Sequence, residues 1–136
     1  MQKIYRKKSE LFRDCISKDD TVLDVGFWGQ AVDVDDKNWV HAILLEEAGA
    51  VYGVDIVYDE SRLSHKERYQ KARAEDFQFG LKFDVIVASE LIEHLENPGL
   101  FLEQCKKHLG SDGRLILTTP NAFSFMTLLQ KLVKTE

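Results

Sequence analysis

Four clusters of chemistry-bearing residues follow strand-like runs in this 136-residue chain. Asp24-Val25-Gly26 ends the first run, Asp55 ends the second, Glu75-Asp76-Phe77 follows the third and Ser89-Glu90 the fourth. Carboxylates at such points accept charge-assisted hydrogen bonds, which are stronger than neutral ones. A glycine there lets the backbone turn sharply beside a ligand, because no Cβ restricts it. Ligands of open parallel α/β sheets bind beyond the carboxyl ends of the strands, so the four clusters predict one shared site. Glu93 and His94, just past the fourth strand end, are candidates for general acid or base work. The competing reading is that they hold a short helix in place. His41, His65 and His108 have no partner visible in the sequence.

The elements that must position these groups alternate between strand-length apolar runs and segments of helical periodicity, which predicts an α/β domain. The expected order is a helix over about Lys7–Ile16, a strand Thr21–Val25, and a long connection through Val32–Lys37. A helix from Trp39 to Gly49 with Asn38 available as its cap comes next, then a strand Val51–Val57. A short helix over Glu60–Lys66 and a weak strand Tyr69–Ala74 follow. Phe83–Ala88 is nearly all apolar and predicts a strand buried on both faces. Leu91–Leu95 reads as one or two helical turns. Asn97-Pro98-Gly99 opens a helix over Leu100–Leu109, with Asn as cap and Pro at the first helical position. Ser111-Asp112-Gly113 is a turn, Arg114–Thr119 the fifth strand, and Ala122–Lys134 a last helix apolar around much of its circumference.

Composition narrows the function classes. The chain is 44% hydrophobic and 30% charged, which fits a single globular domain over residues 1–136. Its net charge of -5 disfavours a nucleic-acid coat or a polybasic membrane-surface protein. Lys3, Arg6, Lys7, Lys8 and Arg13 against Glu10 give the first thirteen residues +4, read as a solvated helix face rather than an anion-binding arm. Cys15 and Cys105 lie far apart and outside any metal-ligand spacing, so no metal site is expected. They read as reduced, buried thiols of a cytoplasmic protein. No run approaches a membrane span, and the N-terminus lacks the apolar core of a signal peptide.

From about Thr21 to Asn121 the sequence resembles the class I S-adenosylmethionine-dependent methyltransferases. Val22-Leu23-Asp24-Val25-Gly26 is similar to the family's first motif, Val51-Tyr52-Gly53-Val54-Asp55-Ile56 to its second-strand acidic motif, and Ala74-Glu75-Asp76-Phe77 to the segment that meets the adenine. The stretches Phe83–Leu95 and Leu109–Asn121 resemble the small-molecule branch that includes ubiquinone-type O-methyltransferases. The resemblance implies a Rossmann-like, mainly parallel sheet with flanking helices, here lacking the fold's last two strands. It also implies S-adenosylmethionine as cofactor. Asp55 would accept from the ribose diol, Ile56 and Phe77 would sandwich the adenine, and Asp76 would accept from its exocyclic amine. Asp24 and the backbone of Ala88 or Ser89 would serve the methionine portion.

The sequence departs from the family where Phe27-Trp28-Gly29-Gln30 replaces a glycine-rich continuation, so that Gly29, with Gly26, is left to serve the loop. The following acidic loop, with Asp33, Asp35 and Asp36, reads as a lid or a solvated insertion. A nicotinamide dinucleotide would need G-x-G-x-x-G, which Gly26–Ala31 does not supply. The expected activity is in-line methyl transfer to a small-molecule acceptor, with His94 as the nominated catalytic base and no nucleic acid or membrane partner. The alternative is a catalytically silent module that docks on a partner subunit, or on a second copy, through the C-terminal helix.

Overall fold

Successive side chains of a strand point to opposite faces, and the strands over 21–25, 50–55 and 83–89 are apolar enough to bury both. The computed structural model describes residues 3–29 and 33–120. Among them, β1 (Thr21–Val25), β2 (Ala50–Asp55), β3 (Tyr69–Lys71), β4 (Phe83–Ser89) and β5 (Leu109–Thr118) form one sheet in the order β3-β2-β1-β4-β5. Every pairing is parallel. The expected Rossmann-like parallel sheet with flanking helices is therefore present, with its switch point between β1 and β4.

The helices α1 (Lys8–Cys15) and α2 (Val40–Glu47) contact each other, and Phe12, Ile16, Ile43 and Leu44 from them pack on Val22, Val51, Val85 and Val87. On the opposite face, α3 (Pro98–His108) sends Phe101 and Cys105 onto Leu23, Val25, Val54, Ile86 and Ala88. Val85 and Val87 thus face one layer while Ile86 and Ala88 face the other, all fully buried, as the apolar run predicts. The α3 start is as read: the Asn97 side chain accepts from the Leu100 amide at 3.1 Å, with Pro98 in the first turn.

Several boundaries differ for physical reasons. Trp39, not Asn38, precedes α2 and offers no side-chain cap; the Asn38 amide instead donates to Asp36 Oδ1. The single helix expected at Glu60–Lys66 is two 3-10 turns, Glu60–Arg62 and Lys66–Arg68, split by His65 in the left-handed region at φ 55. The Leu91–Leu95 segment is one 3-10 turn at Ile92–His94. Ser111-Asp112-Gly113 does not separate a helix from β5 but forms an irregularity inside it, where pairing jumps from Phe83 with Leu109 to Val85 with Arg114. The last helix expected at Ala122–Lys134 lies outside the described residues.

Three of the five N-terminal cations are matched by acids, in keeping with a solvated face. Lys3 pairs with Asp14, Lys8 with Glu90, and Arg13 with Glu46 and Glu47. No helix among the described residues is long and apolar enough to cross a membrane.

Candidate functional site

Beyond the carboxyl ends of β1, β2 and β4 the chain leaves a cleft of about 570 Å³, within the range of small-molecule sites. Its floor is Val25, Gly26, Val54 and Asp55; one wall is Ile56 with the 72–75 segment, and the other runs from Glu90 to Glu96. Gly26 sits at φ +76, and a Cβ on it would come 3.0 Å from Leu91 Cδ1. The backbone angle therefore calls for glycine at this corner, and a side chain there would also press on Leu91. Across the cleft Glu90 also has positive φ, held by its amide on the Thr118 carbonyl at 2.8 Å and by the ion pair with Lys8. Non-glycine residues in that region persist only where their surroundings fix them.

Asp55 is the most constrained acid of the cleft. Its Oδ2 accepts from the Trp28 and Gly29 amides at 2.9 and 3.0 Å, and its Oδ1 from the Ile56 amide at 2.7 Å. The carboxylate is 8% exposed and still borders the cleft. Ile56, 70% exposed, presents an apolar surface beside it. Arg73 bridges the two walls, with Nη2 at 3.3 Å from Glu96 and Nε at 3.6 Å from Glu75.

The bulky Phe27 and Trp28 do not fill the cleft. The Phe27 ring enters an aromatic cluster with Trp39, His41, Tyr58 and Tyr69, at centroid distances of 6.4, 4.8, 5.2 and 5.1 Å. Trp39 Nε1 donates to the Phe27 carbonyl at 2.8 Å. A turn without the usual glycines is thus anchored from behind by side chains, while its amides still reach Asp55.

The residues predicted from sequence fall into two groups. Gly26, Gly29, Asp55, Ile56 and His94 line the cleft together. His94 lies on the rim with its side chain 75% exposed, and Glu93 is the acid beside it at 3.9 Å. Asp24, Asp76, Phe77, Ala88 and Ser89 are not among the lining residues: Asp76 is exposed beside the cleft and the other four are buried. Asp24 is buried on His41, and Asp76 Oδ1 accepts from the Arg73 amide at 3.0 Å. Phe77 and Ala88 belong to the α3-side core, and Ser89 Oγ bonds Thr118 Oγ1 at 2.9 Å. Asp33 and Asp36 in the acidic loop accept from the amides two residues on, ordinary turn chemistry, and Asp35 pairs with Arg62.

Sequence reasoning left His41 and His108 without partners, and both are fully engaged. His41 Nδ1 lies 2.9 Å from Asp24 Oδ2 and its Nε2 lies 2.8 Å from the Tyr69 hydroxyl. Burial raises the Asp24 carboxyl above the usual range, the His41 contacts opposing it, and burial, with the Asp24 charge, pushes the Tyr69 phenol up to about 12. His108 joins Gln104 and Phe79 at 2.8 and 3.2 Å, tying α3 to the approach to β4. The detectable signal for His41 was strand parity: Asp24 shares a face with Val22, the face covered by α2.

A family whose description is "Methyltransferase domain" matches residues 2–134. The chain belongs to that family. A probable S-adenosylmethionine-dependent methyltransferase of Mycobacterium tuberculosis is 30% identical over 103 residues, covering 61% of this chain and 37% of its own length. The ubiquinone biosynthesis O-methyltransferase of Haemophilus ducreyi is 28% identical over 115 residues, covering 74% of this chain and 45% of its own. The chain therefore spans less than half the length of these relatives. Among solved structures, the N-methyltransferase NodS of Bradyrhizobium japonicum, determined with S-adenosylhomocysteine, superposes with a TM-score of 0.60 at 16% identity, covering 81% of this chain and 58% of that one. Its likeness establishes the fold: this methyltransferase domain has the Rossmann-like sheet of its relatives.

The residues present suit an adenosyl cofactor. A nucleoside offers a flat apolar base and a ribose diol, and the cleft offers a largely apolar wall from Ile56, Ala72, Ala74, Leu91 and Leu95 beside the Asp55 carboxylate. Asp55 and Ile56 would hold that portion. Gly26, with no side chain, leaves the corner below it open.

Proposed function

We propose that this domain binds S-adenosylmethionine in the cleft and transfers its methyl group in line to a small-molecule acceptor. The observation that carries the reading is Asp55, a carboxylate at the end of β2 fixed by the Trp28, Gly29 and Ile56 amides and bordering an apolar-walled cleft. The cofactor supplies an electrophilic methyl on a sulfonium. Asp55 accepts from the ribose hydroxyls, Ile56 covers one face of the base, and the Gly26–Gly29 turn brings backbone close to the ligand. Asp24 and Ser89 act from behind that surface through their bonds to His41 and Thr118, Phe77 and Ala88 through the core beneath it, and Asp76 by closing the exposed turn after β3 on the Arg73 amide. Alignment of the acceptor with the methyl makes the step effectively unimolecular, and enclosure by the walls keeps water from the sulfonium. An acceptor of high pKa must also lose a proton, and His94 on the rim is the side chain nominated to take it.

The test is calorimetric titration with S-adenosylmethionine and S-adenosylhomocysteine, with NAD as control, on wild type and Asp55→Ala. One-site binding of both adenosyl ligands, none of NAD, and at least about tenfold weakening in the variant are expected, since a charge-assisted bond pair is lost. Absence of binding by a folded sample would overturn the reading. Binding with no methylation of any acceptor would instead favour a silent module.

A further inference from the structure

The register of the sheet places Asp24 of β1, Gly53 of β2 and Tyr69 of β3 in one row, Asp24 opposite Gly53 and Gly53 opposite Tyr69. Neighbouring strands lie about 4.8 Å apart, so the outer two backbones stand about 10 Å apart. His41, in the first turn of α2 and fully buried, spans the gap with both ring nitrogens. With Asp24 ionised the carboxylate only accepts, so Nδ1 carries a proton; in the neutral ring the Tyr69 hydroxyl then donates to Nε2. The middle of the row is empty by necessity: a Cβ on Gly53 would lie 2.8 Å from the Phe27 ring and 2.8 Å from the Tyr69 ring. Phe27 occupies that space, against His41.

Phe27 is also the second residue of the Gly26–Gly29 turn. Its carbonyl is tied to Trp39, and the next two amides are those that hold Asp55. A continuous set of contacts therefore runs from Asp24, His41 and Tyr69 through Phe27 to the Asp55 carboxylate. A glycine-rich loop has no side chains through which to be held in this way. A buried histidine bonded at both nitrogens specifies one geometry, where an apolar filler would allow several.

We propose that His41 is a positioning residue for the cofactor cleft: by bridging Asp24 and Tyr69 over Gly53 it seats Phe27, and so sets the amides that aim Asp55 at the ribose. Asp24 then serves the cofactor through His41 and not by touching it. This rests on the cofactor reading above.

The test compares S-adenosylhomocysteine affinity in wild type, His41→Ala, Tyr69→Phe and Cys105→Ala, together with tryptophan emission of the free proteins. The chain's two tryptophans, Trp28 and Trp39, both belong to this unit, so emission reports the turn directly. Tyr69→Phe keeps the ring and removes one hydrogen bond, and its dissociation constant is expected to rise about threefold to tenfold, with altered emission. His41→Ala should weaken binding further; if it does not fold, Tyr69→Phe carries the test. Cys105→Ala, in the α3-side core, should lower stability yet leave affinity and emission unchanged, which separates positioning from general destabilisation. Wild-type binding with unaltered affinity and emission in Tyr69→Phe would overturn the proposal and leave the cofactor reading standing. No binding by wild type would overturn that reading, and the proposal with it.

Discussion

On the α3 side of the sheet, Leu23, Phe83, Ile86, Phe101 and Cys105 form an apolar core whose cohesion comes from burial. On the α2 side, beyond β1, the space over β2 and β3 holds Phe27, Trp39, His41, Tyr58 and Tyr69, joined by ring contacts and by hydrogen bonds to Asp24 and the Phe27 carbonyl. The first region tolerates any apolar set of the right volume, because dispersion and the hydrophobic effect are not directional. The second depends on named atoms in named places. The difference teaches that two parts of the cleft are held by separate means: its floor, through Val25 and Val54, belongs to the apolar core, while its Gly26–Gly29 turn is built on the directional one.

Three substitutions bear on that contrast. The largest loss of stability belongs to Phe101→Ala, which empties a fully buried site and should cost about 3–5 kcal/mol in urea unfolding. Tryptophan emission of the folded fraction should match wild type; a change in it would mean that the aromatic unit is not held separately from the core. Gly53→Ala comes next. Its methyl meets two rings at 2.8 Å, and overpacking should cost about 1–3 kcal/mol while also weakening binding, because Phe27 must move. A stable, fully binding Gly53→Ala would contradict the role given to that row.

The smallest effect is a dependence on pH. Burial raises the Asp24 carboxyl above its usual 3.8, so the folded state holds that proton more tightly than the unfolded one. Its contribution to stability is then present below 3.8 and is lost as pH rises through the native value. Asp24→Asn keeps an acceptor for His41 and does not titrate. Thermal melts at a series of pH values should show the gap between variant and wild type moving in the variant's favour as pH rises. A constant gap would mean Asp24 titrates alike in both states.

The scaffold was legible because its signals are local. Phe83–Ala88 declares burial on both faces, and Asn97-Pro98 declares a helix start, each within a few residues. Gly26 and Asp55 could be placed at strand ends for the same reason. The aromatic unit was not legible, since it joins positions 24, 27, 39, 41, 53 and 69, whose meeting depends on sheet register and on where α2 begins. Phe27-Trp28 read as a departure from a glycine-rich loop, although Gly53 in the neighbouring strand is what makes room for it. The split crossover after β2 was not legible either: His65 adopts a left-handed backbone, which is uncommon for any residue other than glycine.

The most direct measurement is a crystal structure of the domain with S-adenosylhomocysteine. The account predicts the ribose hydroxyls within hydrogen-bond distance of the Asp55 carboxylate, the base against Ile56, and the Trp28 and Gly29 amides still on Asp55 with Phe27 seated over Gly53. A ligand bound elsewhere, or one that binds at Asp55 only after Phe27 has left the aromatic cluster, would contradict it.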